Sequence, residues 1–375
     1  MSDLSRYFDV NATTPMSAVS RSAWLDANER FWQNPSSLYR EAGMAKQELE
    51  VCREEVADRL GLDEPERVIF TSGATEANNA MIRYVAATRE GKLLMSSIEH
   101  PCVEAAVLAM FGDERTEEVA VDPGSGVIDV DRVRKLLERG GIAAVSVMAA
   151  NNETGTLQPW EELAALAHEF EVPFHSDAAQ WIGKLPAAKL GTCDFLTGSA
   201  HKFGGGKGIG FMVIPEDAED FHSLIGGPQE DGRRAGTENL PAVMAMVAAL
   251  EECEDGLLRD VSSKGRDAFE ARMKNEGMSI VGEAGPRLWN TSMLILPHTK
   301  NLKWLIRLSQ RGFSVSTGSA CSAGRGNPSR VMTAMGLDFD EMSRVMRFSG
   351  GTNSSEKDWL SLADALSDVE AELRQ

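Results

Sequence analysis

The 375 residues carry a formal net charge of −19, with 42% hydrophobic and 25% charged residues. That length supports two domains and a large core, and the acidic balance excludes unaided tracking of a nucleic-acid backbone or of an anionic membrane surface. No apolar run approaches the roughly 20 residues that span a bilayer, and the first seven residues lack a basic segment followed by an apolar stretch, so a cytoplasmic protein without a secretory signal is expected.

Between residues 65 and 250, short apolar runs alternate with helical patterns. Strands are predicted at 68–70, 93–95, 143–148, 174–176, 195–197 and 210–214, and helices at 76–87, 130–138, 160–170 and 240–254. Such alternation implies an α/β fold, with a mostly parallel sheet covered by helices on both faces. From about residue 257 the pattern changes. A long helix is predicted over 257–276, strand-like pieces at 288–295 and 313–316, and helices at 329–335 and 356–373. This stretch predicts a smaller α+β domain.

Ligands of parallel sheets sit beyond the carboxyl ends of the strands, and the chemically suggestive residues follow the apolar runs. Residues 71–79 pair small and hydroxyl side chains with Gly73 at the start of a helix. That is either an anion site made of free N–H groups and the helix dipole, or an ordinary helix cap. His100 is either a ring-stacking proton carrier or a structural histidine. Asp177 at a strand end can pair with a protonated pyridine nitrogen and Gln180 can reach a phenolic oxygen; capping is the alternative for Asp177. Lys202 follows the 195–197 strand and precedes a glycine cluster. An amine there is placed to form a Schiff base with the aldehyde of pyridoxal phosphate, or it is a surface lysine in a flexible loop.

The five cysteines show no CxxC or Cys/His ligand spacing, so reduced thiols and no metal site are expected. Cys321 stands apart in the small-residue loop 318–326, which suits a reactive thiol on a moving arm, or else an incidental turn residue. Arg347 lies in a semi-apolar context and needs an anion, either a substrate carboxylate or a structural partner.

Taken together, Asn34-Pro35-Ser36-Ser37, residues 71–79, Ile98-Glu99-His100-Pro101, residues 151–156, residues 199–207, residues 232–239 and residues 318–322 stand in the order of one family. The chain resembles the cysteine desulfurases of NifS/IscS type, pyridoxal-phosphate enzymes of the class V aminotransferase fold, over about nine-tenths of its length. The resemblance implies a large cofactor-binding domain over 15–256 and a small domain from 1–14 and 257–375. It implies Lys202 as the Schiff-base lysine, and Ala74, Thr75, Ser199 and His201 on the phosphate. Thr237 would reach the phosphate of a second copy, hence a homodimer. Asp177 would pair with the ring nitrogen, Gln180 with the phenolic oxygen, and His100 with the ring face. Asn152, Arg347 and Asn34 would hold the L-cysteine substrate, and Cys321 would take its sulfur as a persulfide for a protein acceptor in Fe–S cluster assembly or thio-modification.

The chain departs from the family pattern at Val10, Tyr39, Trp181 and the Gly204–206 run. A selenocysteine lyase or another class V enzyme is the alternative activity. A catalytically silent sulfur-relay subunit is the alternative from outside enzymes.

Overall fold

The computed structural model describes residues 4–218, 220–318 and 329–374. Cys321 lies outside them. Seven strands form the main sheet: β1 (Val68–Thr71), β2 (Lys92–Ser96), β3 (Thr116–Val119), β4 (Ile142–Ser146), β5 (Phe174–Asp177), β6 (Phe195–Ser199) and β7 (Gly210–Val213). Their order is β1-β7-β6-β5-β4-β2-β3. Pairing is parallel from β6 through β3, and only β7 runs the other way, between β6 and β1. The mostly parallel α/β sheet expected from the sequence is therefore present.

Alternation along the strands sorts side chains onto two buried faces. Val68, Phe70, Leu94, Val145, Leu196 and Val213 face one core cluster. Ile69, Leu93, Met95, Ala144, Phe195 and Met212 face the other. Seven helices belong to this part: α1 (Ala18–Arg30), α2 (Arg40–Leu60), α3 (Ala74–Thr88), α4 (Pro101–Phe111), α5 (Val130–Arg139), α6 (Trp160–Glu169) and α7 (Leu240–Glu252). Residues of α3 and α4 fill the second cluster, and residues of α2, α5, α6 and α7 fill the first.

The predicted helix over 257–276 is broken. Helix α8 covers only Leu258–Asp260, and α9 runs Lys264–Asn275. Val261 is extended, the Ser262 hydroxyl accepts from the Lys264 N–H, and the Ser263 hydroxyl donates to Asp267. Serine side chains compete for backbone groups in this way and interrupt helices. The remaining elements are β8 (Ser279–Ile280), β9 (Thr291–Ile295), α10 (Asn301–Gln310), α11 (Arg330–Ala334), α12 (Phe339–Met342), β10 (Val345–Ser349) and α13 (Glu356–Leu373). Strand β9 starts later than the predicted 288, and the 313–316 stretch contributes single bridges rather than a strand.

Strands β8, β9 and β10 form a small antiparallel sheet backed by Phe269, Trp304, Phe348 and Trp359. Phe8 joins this cluster from the start of the chain. The segment around it is a strap. Phe8 N–H donates to Ser314 O at 2.8 Å, Val10 N–H to Ser349 O at 3.1 Å, and Ser349 N–H to Phe8 O at 2.9 Å.

One buried ion pair ties the segment before α7 to β1. Glu230 accepts from Arg53 Nη1 at 2.8 Å and from the Phe70 N–H at 3.1 Å, with both charged side chains nearly excluded from water. Glu230 holds φ of 50°, a left-handed conformation that only a firm anchor retains in a non-glycine residue. Glu230→Ala leaves Arg53 with the half-exposed Glu50 and the Val68 carbonyl as its remaining partners and is expected to destabilise the fold by about 1.5–3 kcal/mol. A lowered urea midpoint with an unchanged m-value checks this; a midpoint within error of wild type contradicts it.

Candidate active site

The carboxyl ends of the parallel strands open on one cavity of about 540 Å³. Strand β6 ends at Ser199 and turns through a single 3-10 turn, Ala200–Lys202, which delivers Lys202 to the cavity wall. The Lys202 amine donates to Asn11 O at 2.7 Å and Ala12 O at 2.9 Å, both carbonyls of the N-terminal strap.

Asp177 closes β5 and is buried. Its Oδ2 accepts from Asn78 Nδ2 at 2.8 Å, and its Oδ1 accepts from the Ala179 N–H at 3.0 Å. Asn78 Oδ1 in turn lies 2.9 Å from the Thr197 hydroxyl and 3.0 Å from His175 Nε2. Because a carboxylate only accepts, the Asn78 amide must turn its NH₂ toward Asp177. That assigns the His175 proton to Nε2, so Nδ1 accepts from Ser146 Oγ at 2.8 Å. Burial lowers the His175 pKa to about 4, against the pull of Asp177, which agrees with a neutral ring.

The opposite end of the cavity is a cup at the start of α3. Gly73 caps that helix with φ of 146° and no side-chain cap, so the first helical N–H groups are left for a ligand. Ser72, Gly73, Ala74, Thr75, Ser199 and His201 line this end. A methyl group on Gly210 would stand 2.5 Å from Gly198 O and 2.7 Å from Gly73 Cα, so only glycine lets β7 run this close to the cup. Glu76 fastens the cup from behind. It accepts from the Ser72 N–H, from Ser223 Oγ and from Arg234. Burial raises its carboxyl, but the Arg234 and Ser72 hydrogen bonds outweigh this and bring it to about 2.

His100 caps α4 and faces the cavity. Burial lowers its pKa, with Asp177 opposing and Lys202 reinforcing. His201 is also lowered, to about 4, by burial and by Lys202, Lys207 and Lys184, and its Nδ1 lies 3.1 Å from the Thr13 hydroxyl.

Of the residues singled out in the sequence, Ala74, Thr75, His100, Asn152, Asp177, Gln180, Ser199, His201 and Lys202 line this one cavity. Arg347 sits behind it, almost fully buried. Its Nη1 donates to Asn152 O at 2.9 Å and its Nη2 to Asp9 Oδ1 at 2.6 Å, while its Nε has no protein partner. Thr237 lines a small neighbouring cavity with Ser72, Gly208 and Arg234. Asn34 is exposed in a turn and accepts from the Ser36 N–H, away from the cavity.

Asn78, Lys184 and Glu99 are among the residues at or beside the site that gained no role from the sequence. Asn78 lies inside the quoted 71–79 motif, but Asp177, His175 and Thr197, which fix its orientation, are 97 to 119 positions away. Lys184 is buried, donates to Gln180 Oε1, and is held well below the usual lysine range by burial and by Lys202 and Arg347. Its place between Gly183 and Leu185, two residues after Ile182, was the available signal. Glu99 is buried with Oε1 on the Met148 N–H at 2.8 Å and Oε2 unpartnered.

The aminotransferase class-V family matches residues 6–361. The chain belongs to that family, on its NifS/IscS-like branch. It is 36% identical over 358 residues to a cysteine desulfurase of Cereibacter sphaeroides, covering 92% of this chain and 90% of the relative. It is 33% identical to a cysteine desulfurase IscS of Dictyoglomus turgidum, covering 98% of this chain and 95% of the relative. Among solved structures, a NifS-like protein superposes with a TM-score of 0.87 at 30% identity, over 98% of this chain and 99% of the other. A protein named SspA, solved in complex with cysteine, superposes with a TM-score of 0.80 at 30% identity, over 93% and 100%. No helix among the described residues is long and apolar enough to cross a membrane.

Burial drives the Glu99 carboxyl well above its usual range. The folded state therefore keeps a proton that the unfolded chain releases near pH 4.3, and stability is lost as pH rises from there toward the raised value. Glu99→Gln mimics the protonated acid. It is expected to flatten this part of the stability–pH curve measured by urea unfolding, and a variant curve parallel to wild type would contradict the assignment.

Proposed function

We propose that this class-V chain is a cysteine desulfurase that releases L-alanine from L-cysteine and passes the sulfur to Cys321 as a persulfide. The observation that carries this reading is the convergence of an amine, a buried carboxylate and an anion cup on one cavity, from Lys202, Asp177 and residues 72–75. Pyridoxal phosphate asks for that donor set: an amine for its aldehyde, a carboxylate for its ring nitrogen, and N–H and hydroxyl groups for its phosphate. The residues present fit the group.

When bound, the cofactor supplies an electrophilic carbon for the amino group and a protonated ring that accepts electron density from the substrate Cα. Lys202 would anchor it. Asp177 would hold the ring nitrogen protonated, with its own orientation set by Asn78. Gln180 would meet the phenolic oxygen and His100 the ring face, while Ala74, Thr75, Ser199 and His201 would hold the phosphate. Asn152 would position the substrate carboxylate, and Arg347 would reach it by giving up part of its present hydrogen bonding. Cys321 forms the S–S bond as the substrate C–S bond breaks, and only its thiolate is nucleophilic enough to do so.

The same reading divides the chain into a cofactor-binding domain over 15–256 and a small domain from 1–14 and 257–375. It also calls for a second copy. Thr237 lies beside the cup yet outside the cavity, and Trp32, Leu38, Tyr39, Met44 and Ile225 expose apolar surface that a protomer would cover. A sulfur-acceptor protein for Fe–S assembly or thio-modification completes the reaction.

Alanine release from L-cysteine with a reductant tests the reading, with wild type and Cys321→Ala side by side. Alanine from wild type only is expected. Alanine from neither, in a protein that binds the cofactor, would overturn it. Lys202→Ala is expected to lose the visible Schiff-base absorption, and retention of a covalent imine would remove Lys202 from its role. Arg347→Ala is expected to raise KM for L-cysteine about tenfold or more. An unchanged KM would restrict Arg347 to holding Asp9 and the Asn152 carbonyl.

A further inference from the structure

The cap on α4 fixes which ring nitrogen of His100 holds a proton. The Cys102 backbone N–H can only donate, and it reaches His100 Nδ1 at 3.2 Å. Nδ1 is therefore an unprotonated acceptor, and the proton of the neutral imidazole sits on Nε2. The Cys102 sulfur lies 3.0 Å from the same Nδ1, so its S–H also donates there. The sulfur itself accepts from Asn78 Nδ2 at 3.2 Å and hydrogen-bonds the Thr75 side chain. Asn78 Nδ2 is also the donor to Asp177. One thiol on the cavity wall thus joins the imidazole, the cup residue Thr75 and, through Asn78, the buried carboxylate.

We propose that Cys102 is a positioning residue that locks His100 as the Nε2–H tautomer, so that His100 meets a bound ligand as a hydrogen-bond donor at Nε2 and not as a base. The consequence for turnover rests on the desulfurase reading of the cavity; the tautomer does not.

Protonating Nδ1 would break the backbone cap and turn the thiol from donor to acceptor, so the imidazolium is disfavoured by geometry. The charged and titratable groups facing the pair agree. Burial lowers the His100 pKa, with Asp177 opposing and Lys202 reinforcing. Burial, with Asp177 and Glu99 adding, raises the Cys102 thiol to about 12 against the Asn78 and Thr75 hydrogen bonds, so the S–H donor persists. A base at Nε2 would need the other tautomer, which sets Nδ1–H against the Cys102 N–H.

The test is ¹⁵N NMR of the histidine-labelled, reduced holoenzyme, with His100 assigned by the signal lost in His100→Gln. A pyridine-type Nδ1 and a pyrrole-type Nε2 across neutral pH are expected. A protonated Nδ1 in wild type, as tautomer or imidazolium, overturns the proposal. Cys102→Ala removes the thiol donor and keeps the backbone cap. It is expected to raise the His100 protonation midpoint by about one pH unit, the size of one hydrogen bond, and to lower kcat for alanine release several-fold with KM little changed. Cys102→Ser keeps a donor and is expected to restore both. An unmoved midpoint in Cys102→Ala overturns the lock. The expected wild-type tautomer in a protein that releases no alanine supports the lock while overturning the functional reading.

Discussion

A carboxylate buried at the end of a central strand has to be answered by donors, and Asp177 organises the site by that requirement. Asn78 answers it from α3, the Ala179 N–H answers it from the following turn, and His175 and Thr197 hold Asn78 in the one orientation that can. Reversing the Asn78 amide would face oxygen to oxygen at Asp177 and leave His175 and Thr197 opposing an NH₂ group. A chain of single-orientation hydrogen bonds therefore fixes the floor of the cavity before any ligand arrives. Such preorganisation spares the reacting groups a reorientation later.

The other wall is fixed by close approach rather than by charge. Strand β7 is the one reversed strand, and its register places Gly210 opposite both Ser199 of β6 and Thr71 of β1. The turn that carries Lys202 and the turn that forms the cup are thus neighbours across a single glycine. Between the two walls lie the carbonyls of Asn11 and Ala12, which hold the lysine amine, while Asn11 O also accepts from Gln180. The N-terminal strap is in this sense a structural part of the cavity.

The sheet was legible because buried parallel strands read as uninterrupted apolar runs, as at 68–70 and 195–197. The site was legible where a residue type at a strand end has one chemistry, as with Lys202 and Asp177. Helix α1 was not legible, since Val19, Trp24 and Leu25 face outward and erase the apolar stripe that marks a helix. Edge strand β3 was hidden by Glu117 and Glu118, charges that suit an edge but spoil an apolar run. The role of Asn78 and the identity of Arg347's anionic partner were out of reach for a different reason. The partners, Asp177 and Asp9, stand 99 and 338 positions away, and periodicity says nothing about such distances.

The strap has a consequence for how the protein is made. Its partners Ser314, Arg347 and Ser349 leave the ribosome more than 300 residues after it does. At about 5–20 residues per second, that is a wait of tens of seconds. The main sheet, complete by Val213, can form during that interval. The lysine amine and Gln180 gain their strap carbonyls only once the strap is held by Ser314 and β10. Until then the nascent chain holds a cavity with one side open, and the cavity is completed at the end of translation rather than at the birth of the sheet.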